Sequence, residues 1–572
     1  MRKSAILRIR ILTGVIFFLA LVCIGRLYQI QVLQHDFYEE KANRQYVHTV
    51  KDLYSRGSIF FTTKDGDEVS AATVQSGYVL ALDATRIGDI EQAYSSLSKV
   101  FTIEKEMFIE KAHKREKTYQ EIATKLTAEQ ADAISALHIP GMQLYKTQWR
   151  YYPGDELSAR SVGFIGYTAD PTEGLAGRYG LERYYDDILT RNDGRVSVNF
   201  FAEIFSNLGS IIFDTTKSTT GDVVTSIEPT VARMLDSELL KVQEKYQSKL
   251  SGGIIINPQT GEIYAINAVP TYNLNNRAGA DIEAFRNPMV ENVYEMGSII
   301  KALTMAAGLD SNAVNSATTY YDAGCIELDT KKICNFDGRS RGTVLMQEVL
   351  SQSLNTGVSY IVKTMGKETF RTYFNALKLG TETGIDLPSE AHGLISTLSS
   401  PRDVDYATAS FGQGIALTPI ETVRALSALG NGGHLVTPHI ATKIKYQDGV
   451  VKDITYPEGD QVFSKETSTE ISRMLTAVVD TALSHGKQKQ EHYSIAAKTG
   501  TAQIANPNGG GYYDDRYLHS FFGYFPSYEP KYLIFLYTVE PQGVQYASET
   551  LTEPFMNLTK FLLNYYNVPP DR

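Results

Sequence analysis

Three short motifs in the second half of the chain carry residues that could transfer an acyl group. An S-x-x-K sequence runs from Ser298 to Lys301, an S-x-N sequence from Ser353 to Asn355, and a K-T-G sequence begins at Lys498. On a helix, residues i and i+3 share a face, so Lys301 would stand beside Ser298. A serine hydroxyl needs an adjacent base, and a lysine desolvated on an apolar helix is a competent one. The first motif therefore predicts a serine nucleophile with a lysine base.

The K-T-G sequence lies in a predicted strand, SIAAKTGTAQ, and is followed by Thr501. Such a strand offers a cation, the hydroxyls of Thr499 and Thr501, and an open backbone, which suit an acyl compound that ends in a carboxylate. Gly500 is expected to leave the strand open for the close approach of that compound. At a helix start, Ser298 would also direct its backbone N–H toward the incoming carbonyl.

The first two motifs also occur elsewhere, so context must select the functional set. Ser96–Lys99 and Ser484–Lys487 match S-x-x-K, and Ser197–Asn199 matches S-x-N. Ser298 differs because it opens the apolar segment IIKALTMAAGL, whereas Ser96 lies in a polar, charged stretch. K-T-G occurs once. We therefore take the three motifs of the first paragraph as one site.

Composition excludes several classes of protein. The chain has 572 residues, 43% of them apolar and 21% charged, which suffices for several folded domains and rules out a disordered chain. The net charge of −10 gives no basic excess, so we expect no nucleic-acid partner. Three cysteines are too few for a disulfide scaffold or a multi-cysteine zinc protein.

The N-terminus predicts a single membrane anchor. Residues 1–10 carry four basic side chains and no acid, and an apolar run follows from Ile11 to Gly25. Arg26 could snorkel at the far interface, which extends the predicted transmembrane helix over 11–33. A cleaved signal peptide is the alternative, but no small-x-small site follows the run. The basic cluster places residues 1–10 in the cytoplasm and the rest of the chain outside it.

Two domains are predicted after the anchor. Residues 34–248 mix helix and strand patterns without a catalytic cluster, and we call this part the pedestal; its last segment, 227–248, reads as an amphipathic helix. Residues 249–565 begin with two strands and end with three, with helices between them, and a tail at 566–572 follows. The predicted fold class is α+β, a mixed α/β pedestal followed by a domain with one five-stranded antiparallel sheet flanked by helices.

The segment AGCIELDTKKICNFDG predicts a hairpin centred on Asp329 and Thr330, in which Cys325 and Cys334 face each other. Directly paired strand positions have Cα atoms about 4.5–5.5 Å apart, which lies within disulfide range. A location outside the cytoplasm permits the bond. We therefore favour a disulfide over two free thiols.

Longer sequences around these motifs resemble the class B penicillin-binding proteins, membrane-anchored D,D-transpeptidases of bacterial peptidoglycan synthesis. The pedestal half contains the similar sequences RGSI from Arg56 and GRYGLERYYDDIL from Gly177. The second half contains TGEIYA, TGIDLPSE, FGQGIALTPIETVRALSALGNGG and AAKTGTAQ. The pedestal sequence SRGSIFFTTKDG departs from the Asp-Arg-Asn/Asp-Gly turn common in the family.

The resemblance implies a role for each residue of the site. Ser298 would attack the carbonyl between the two terminal D-alanines of a stem peptide, and Lys301 would take its proton. Ser353 would relay that proton, and Asn355 would hold the substrate amide. Lys498 would tune the electrostatic field of the site and support Ser353. The resemblance further assigns the substrate carboxylate to the hydroxyls of Thr499 and Thr501, and the oxyanion hole to the backbone N–H groups of Ser298 and Thr501.

The resemblance also implies partners and a location. The domain at 249–565 is identified as a penicillin-binding transpeptidase domain on the outer side of a bacterial cytoplasmic membrane. Its ligands would be stem peptides ending in D-Ala-D-Ala and β-lactams, with no metal and no organic cofactor. No glycosyltransferase module precedes it, which implies a SEDS-type glycan polymerase as partner. Asn355 and the Gly-Gln-Gly run favour the septal, cell-division branch over side-wall elongation.

Two other functions use the same sequence features. A β-lactamase or β-lactam sensor would share the site, but a lactamase needs a deacylating glutamate and lacks a long anchored pedestal. A non-catalytic divisome scaffold would use the pedestal alone, although every catalytic residue is present. We expect His519 to pack in a strand rather than act as a base, and Arg150 and Arg160 to form pedestal salt bridges. Asp322 and Glu327 receive no role.

Overall fold

The computed structural model describes Gly14 and residues 55–168, 175–191 and 220–572. The predicted anchor at 11–33 and the residues before it lie, except for Gly14, outside the described residues. Among the described residues, no helix is both long enough and apolar enough to cross a membrane. The Ser197–Asn199 sequence also lies outside them.

The described chain forms the following strands and helices. The strands are β1 (Ile59–Thr62), β2 (Glu68–Leu82), β3 (Gln120–Leu126), β4 (Met142–Tyr151), β5 (Ile165–Tyr167), β6 (Leu175–Gly177), β7 (Gly221–Thr225), β8 (Leu250–Ile256), β9 (Ile263–Val269), β10 (Thr319–Asp322), β11 (Cys325–Leu328), β12 (Lys331–Cys334), β13 (Gly342–Leu345), β14 (Ala441–Tyr446), β15 (Val451–Asp453), β16 (Ala496–Ala505), β17 (Tyr512–Phe525) and β18 (Tyr532–Val539). The helices are α1 (Ile90–Leu97), α2 (Lys105–His113), α3 (Ala128–Ala136), α4 (Ala159–Val162), α5 (Gly180–Tyr184), α6 (Asp186–Leu189), α7 (Pro229–Tyr246), α8 (Pro288–Glu291), α9 (Ile300–Asp310), α10 (Met346–Ser351), α11 (Asn355–Met365), α12 (Lys367–Ala376), α13 (Asp403–Ala409), α14 (Pro419–Ser427), α15 (Lys465–Ala477), α16 (Ala547–Thr550) and α17 (Thr552–Tyr565).

The chain divides into two compact units, and the first contains residues 74–149. In this unit the later part of β2 pairs with β3 and β4, and α1, α2 and α3 supply the rest. Its own core includes Leu80, Leu97, Phe108 and Ile134, all of them buried. The unit therefore has a hydrophobic core of its own.

The second unit contains residues 56–73 and the described residues from 150 onward, and its centre is an antiparallel sheet of five strands. The strand order is β16-β17-β18-β8-β9, so the two early strands join the three late ones through the pairing of β8 with β18. This arrangement confirms the predicted sheet.

Helices cover both faces of the five-stranded sheet. Gly252 and Gly253 are consecutive in β8, so they face opposite sides of the sheet. Leu235 of α7 reaches Gly253, and Met289 of α8 reaches Gly252. The helix α7 also packs against α17, and α15 packs along β16. The sheet is thus buried on both faces, in agreement with the burial of every residue of strand β18.

The second unit also contains a buried group of opposite charges, which we call the Glu182 cluster. Glu182 is fully buried, and its carboxylate contacts Arg56 at 2.7 Å and Arg150 at 2.6 Å. Arg56 contacts Asp186 as well, at 2.7 Å. The predicted salt bridge of Arg150 is therefore confirmed.

The predicted salt bridge of Arg160 is wrong. Its guanidinium donates to the backbone carbonyls of Ala268 at 2.5 Å, Pro270 at 2.8 Å and Arg286 at 3.0 Å. Three carbonyl dipoles satisfy a planar guanidinium without a countercharge. Burial lowers the pKa of Arg160 from its usual value.

Candidate active site

Ser298 lies in a 3₁₀ turn, Gly297–Ile299, that runs directly into the buried helix α9. Gly297 has a φ of +64°, and a Cβ there would come within 2.6 Å of the Thr501 carbonyl oxygen. Only glycine fits that approach, because its φ is positive and its space is closed. The turn therefore brings Ser298 next to the strand that carries the K-T-G sequence.

Lys301 is the second residue of α9 and lies one turn after Ser298. It is fully buried. Its Nζ donates to the carbonyl of Ser353 at 2.5 Å and to the Ser353 hydroxyl at 3.1 Å. Burial, and secondarily the charge of Lys498, hold the pKa of Lys301 well below its usual value. A neutral amine with a free electron pair can accept a proton, so Lys301 has the state that a general base requires.

Ser353 precedes helix α11 with a φ of +55°, in the left-handed region that serine rarely adopts. This conformation places its hydroxyl between the two lysines, since Lys498 Nζ also donates to Ser353 Oγ, at 3.0 Å. Backbone strain of this kind persists where the surroundings fix it, often at active sites. Ser353 thus connects Lys301 to Lys498.

Asn355 begins α11, and its Nδ2 donates to the carbonyl of Cys334 at 2.8 Å. Because a carbonyl oxygen can only accept, this bond fixes which end of the amide faces Cys334. The Oδ1 atom is left to accept a hydrogen bond from another group. Asn355 lines the same cleft as Ser298, so that group can be a substrate N–H.

The structure contains the Cys325–Cys334 disulfide, in a hairpin formed by β11 and β12. The two cysteines are directly paired, and Asp329 and Thr330 at the bend have positive φ angles of 48° and 65°. We call residues 325–334 the disulfide hairpin. Its carbonyl at Cys334 is the acceptor that orients Asn355.

Lys498 is almost fully buried in β16, and burial lowers its pKa to about 7. Its Nζ donates to Ser353 Oγ and, at 2.9 Å, to the carbonyl of Thr499. Thr499 and Thr501 line the cleft on the same strand. The Thr501 hydroxyl accepts the Ala547 N–H at 3.1 Å, which leaves its own proton to donate.

Gly500 makes room for the protein rather than for the substrate. A Cβ at Gly500 would meet Ser520 Oγ at 2.3 Å and the Met296 carbonyl oxygen at 2.8 Å. Ser520 Oγ also donates to that carbonyl, at 2.7 Å. The position therefore differs from the predicted open wall, because its missing side chain lets β16 close onto the turn that holds Ser298.

The predicted site residues other than Gly500 and Cys325 line one cleft of about 860 Å³: Ser298, Lys301, Cys334, Ser353, Asn355, Lys498, Thr499 and Thr501. Residues that the sequence did not single out also line it, namely Lys332, Phe336, Arg341, Gln413, His485, Gln503, Tyr517 and Tyr546. The rings of Phe336 and Tyr546 meet edge to face, with centroids 5.6 Å apart. No short motif marks these residues. Only the FGQG sequence around Gln413 and the AAKTGTAQ sequence that ends at Gln503 gave a signal.

Two residues near the cleft differ from the catalytic set. His519 is fully buried, and its ring contacts Thr550 Oγ1 at 2.9 Å and the Gln545 carbonyl at 3.1 Å, as expected of a packing residue. Burial lowers its pKa to about 4. Ser484 lines the cleft, but it and His485 have positive φ angles, so Lys487 does not follow it on a regular helix.

Metal binding has no support from the side chains of this part of the molecule. Among the described residues, no group of three or more histidines, cysteines, aspartates and glutamates is arranged to hold a metal ion. The basic side chains that line the cleft are those of lysine and arginine, together with His485.

Two models of known protein families match the chain. Residues 252–559, more than half of the chain, match the penicillin-binding protein transpeptidase domain, and residues 54–224 match the penicillin-binding protein dimerisation domain. The chain belongs to the class B penicillin-binding proteins. The residues of the cleft all lie between Ser298 and Ser548, within the first match.

Relatives match over most of their length. Stage V sporulation protein D of Bacillus subtilis is 29% identical over 91% of this chain and 81% of its own. Peptidoglycan D,D-transpeptidase FtsI of Escherichia coli is 24% identical over 99% of this chain and 92% of its own.

Solved structures share the fold. Penicillin-binding protein 2X of Streptococcus thermophilus superposes with a TM-score of 0.72 at 20% identity, over 90% of this chain and 80% of its own. Penicillin-binding protein 3 of Mycobacterium tuberculosis, complexed with aztreonam, gives 0.67 at 21% identity, over 91% of this chain and 97% of its own.

Proposed function

We propose that this protein is a peptidoglycan D,D-transpeptidase that cross-links stem peptides through an acyl-enzyme at Ser298. The observation that carries the proposal is the chain of hydrogen bonds from Lys301 through Ser353 to Lys498. That chain supports a base with a lowered pKa and a proton relay in the cleft that Ser298 also lines. The relatives named FtsI support a septal role, with side-wall elongation as the alternative.

In the first half-reaction, Ser298 Oγ attacks the carbonyl between the two terminal D-alanines and gives its proton to Lys301 Nζ. The backbone N–H groups of Ser298 and Thr501 stabilise the oxyanion. The C–N bond then breaks, and the proton passes through Ser353 Oγ to the nitrogen of the departing D-alanine. The product is an ester of Ser298.

Binding of the donor uses the remaining groups. The hydroxyls of Thr499 and Thr501 donate to the terminal carboxylate, and the positive charge of Lys498 attracts it. Asn355 Oδ1 accepts a backbone N–H of the stem peptide. In the second half-reaction an acceptor amine attacks the ester carbonyl and forms a new amide bond. The C–O bond to Ser298 breaks, and the proton lost by the amine passes to Ser298 Oγ.

β-Lactams combine a reactive amide with a nearby carboxylate, so they would acylate Ser298 by the same first half-reaction. The protein would act from the outer face of the cytoplasmic membrane, anchored through residues 11–33. Glycan chains would come from a SEDS-type polymerase in the same membrane.

Acylation by a fluorescent penicillin tests the proposal. The wild type and Ser96→Ala should both carry a stable label, because Ser96 belongs to a chance S-x-x-K sequence on α1. Ser298→Ala should carry none. Label on folded Ser298→Ala would refute the assigned nucleophile, and label that turns over rapidly on the wild type would favour a β-lactamase.

A further inference from the structure

Asp322 is a fully buried carboxylate at the end of β10, close to the cleft. Its two oxygens accept hydrogen bonds from Asn335 Nδ2 at 2.9 and 3.1 Å, and one accepts from Thr356 Oγ1 at 2.8 Å. Backbone N–H groups of Gly324 and Arg341 donate to it as well, at 3.0 and 3.1 Å. Five donated bonds saturate the carboxylate.

The donors belong to two pieces of chain that meet at the cleft. Gly324 and Asn335 flank the disulfide hairpin, and they are joined by a hydrogen bond from the Asn335 N–H to the Gly324 carbonyl at 2.9 Å. Thr356 is the second residue of α11. Asp322 therefore ties the base of the hairpin to the first turn of the helix that begins with Asn355.

Asn335 strengthens this tie. Its Oδ1 accepts the backbone N–H of Thr356 at 3.2 Å, one of the N–H groups that a helix start leaves unpaired. A carboxylate near a helix N-terminus is also favoured by the helix dipole. The hairpin in turn presents the Cys334 carbonyl to Asn355 Nδ2. The side chain of Asn355 and the peptide bond that follows it thus both depend on the same junction.

An ordinary ion pair does not account for Asp322. The guanidinium of Arg341 is directed at Asp337, with both NH groups 2.8 Å from its carboxylate, and at Gln352. The bonds to Asp322 come from an amide, a hydroxyl and backbone N–H groups, which are directional. A directional set of bonds fixes geometry more than it supplies Coulomb energy.

We propose that Asp322 is a positioning residue for acylation: through Asn335 and Thr356 it holds Asn355 in the orientation that accepts a substrate N–H. The proposal rests on the proposed function, because it assumes that Asn355 contacts the acyl donor. Replacing Asp322 by asparagine puts an NH₂ group among donors, so the junction must rearrange. The non-covalent affinity should change less than the rate, because the cations and threonines that bind the carboxylate of the donor stay in place.

The test measures the dissociation constant before acylation and the acylation rate constant, from the saturation kinetics of a fluorescent penicillin. For Asp322→Asn we expect the rate constant to fall on the order of 10- to 100-fold. We expect the dissociation constant to stay within about threefold, since uniform binding is separate from transition-state binding. A folded variant with the wild-type rate constant would overturn the proposal.

Asp386 provides the matched control, because it is another buried carboxylate of the same unit. It accepts the N–H groups of Ile440 and Ala441, both at 2.7 Å, and the Tyr185 hydroxyl at 3.0 Å. Asp386→Asn should lower the melting temperature and leave both constants of the folded protein unchanged. Equal losses of rate in the two variants would reduce Asp322 to a structural carboxylate and overturn the proposal.

A second pair of variants decides the matter if Asp322→Asn does not fold. Thr356→Val removes the hydroxyl that contacts Asp322 and, at 3.1 and 3.3 Å, Asn335 Oδ1 and the Tyr320 hydroxyl, whereas Thr356→Ser keeps it. The valine variant should acylate slowly and the serine variant at the wild-type rate, and equal rates would contradict the proposal. The wild type in the same assay separates the two hypotheses: if it does not acylate, the proposed function itself is wrong.

Discussion

The Glu182 cluster and the cleft both bury charge, but in opposite ways. In the Glu182 cluster, one buried carboxylate lies between Arg56 and Arg150, so opposite charges compensate each other. In the cleft, two lysines, Lys301 and Lys498, share one hydroxyl at Ser353. The carboxylate that could compensate these lysines is absent from the described residues that line the cleft.

The difference distinguishes stability from reactivity. A buried ion pair that loses one partner leaves an uncompensated charge, which costs several kcal/mol, so each member of the Glu182 cluster requires the others. Two buried lysines without a countercharge instead lose protons, and perturbed groups of this kind collect at active sites. We therefore expect substitutions in the first region to change folding and substitutions in the second to change chemistry.

The largest effect should come from Lys301→Met. Loss of a general base lowers the acylation rate by about 10²- to 10⁴-fold. The melting temperature should stay the same or rise, because methionine is easier to bury than an amine. Kinetics with a fluorescent penicillin and thermal unfolding measure the two quantities. Lys363→Met, an exposed lysine on α11, is the control and should leave both unchanged.

Glu182→Gln should show the reverse pattern. Removing the shared carboxylate leaves Arg56 and Arg150 buried together, and the free energy of unfolding should fall by about 3–5 kcal/mol. Urea unfolding measures this change, and the acylation rate of the folded fraction should equal that of the wild type. Glu110→Gln, from the exposed pair with Lys114, should not change stability measurably. A Glu182→Gln variant that is as stable as the wild type but does not acylate would contradict the assignment of this cluster to folding.

Loss of the disulfide in the hairpin should lower both the stability of the protein and its acylation rate. The cysteines of the hairpin are nine residues apart. In the chain-entropy account, removing a disulfide that closes a loop of that size lowers the free energy of unfolding by about 2–3 kcal/mol. The double variant Cys325→Ala and Cys334→Ala should therefore unfold at lower urea concentration. It should also acylate more slowly, because the Cys334 carbonyl orients Asn355. Unchanged acylation would separate the hairpin from the chemistry.

The smallest effect should appear in the pH profile of the second-order acylation constant. As the pH falls through the lowered pKa of Lys301, the base becomes protonated and the constant drops. As the pH rises through about 7, Lys498 loses its proton, and the cleft loses a charge that attracts the carboxylate of the donor. The profile should therefore be bell-shaped. Lys498→Arg should shift the alkaline limb upward, and a profile without an alkaline limb between pH 6 and 9 would contradict the role of Lys498.

Local patterns predicted the elements of the site well. The register of the disulfide hairpin follows from the turn at Asp329 and Thr330, and the five strands follow from apolar runs bounded by turns. The position of Lys301 relative to Ser298 follows from helical periodicity, since both lie within one turn of chain. In each case the residues that determine the structure are close in sequence.

Contacts distant in sequence could not be predicted. Asp322 and Thr356 lie 34 residues apart, and no spacing rule connects them. Gly500 was assigned to substrate access because nothing in the sequence shows that Met296 lies behind it. Ser484 was set aside with the chance motifs, yet the fold carries it to the cleft wall. Such contacts depend on how helices pack on the sheet, which local periodicity does not encode.

The strand order of the five-stranded sheet has a consequence for synthesis of the protein. The serine and its base lie near the middle of the chain, whereas β16, with Lys498 and Thr501, lies in the last fifth. Contacts between distant segments form only after the whole segment between them exists. A nascent or prematurely terminated chain that ends before Ala496 therefore contains the nucleophile without the wall that completes its site. Such fragments would react with neither a stem peptide nor a β-lactam.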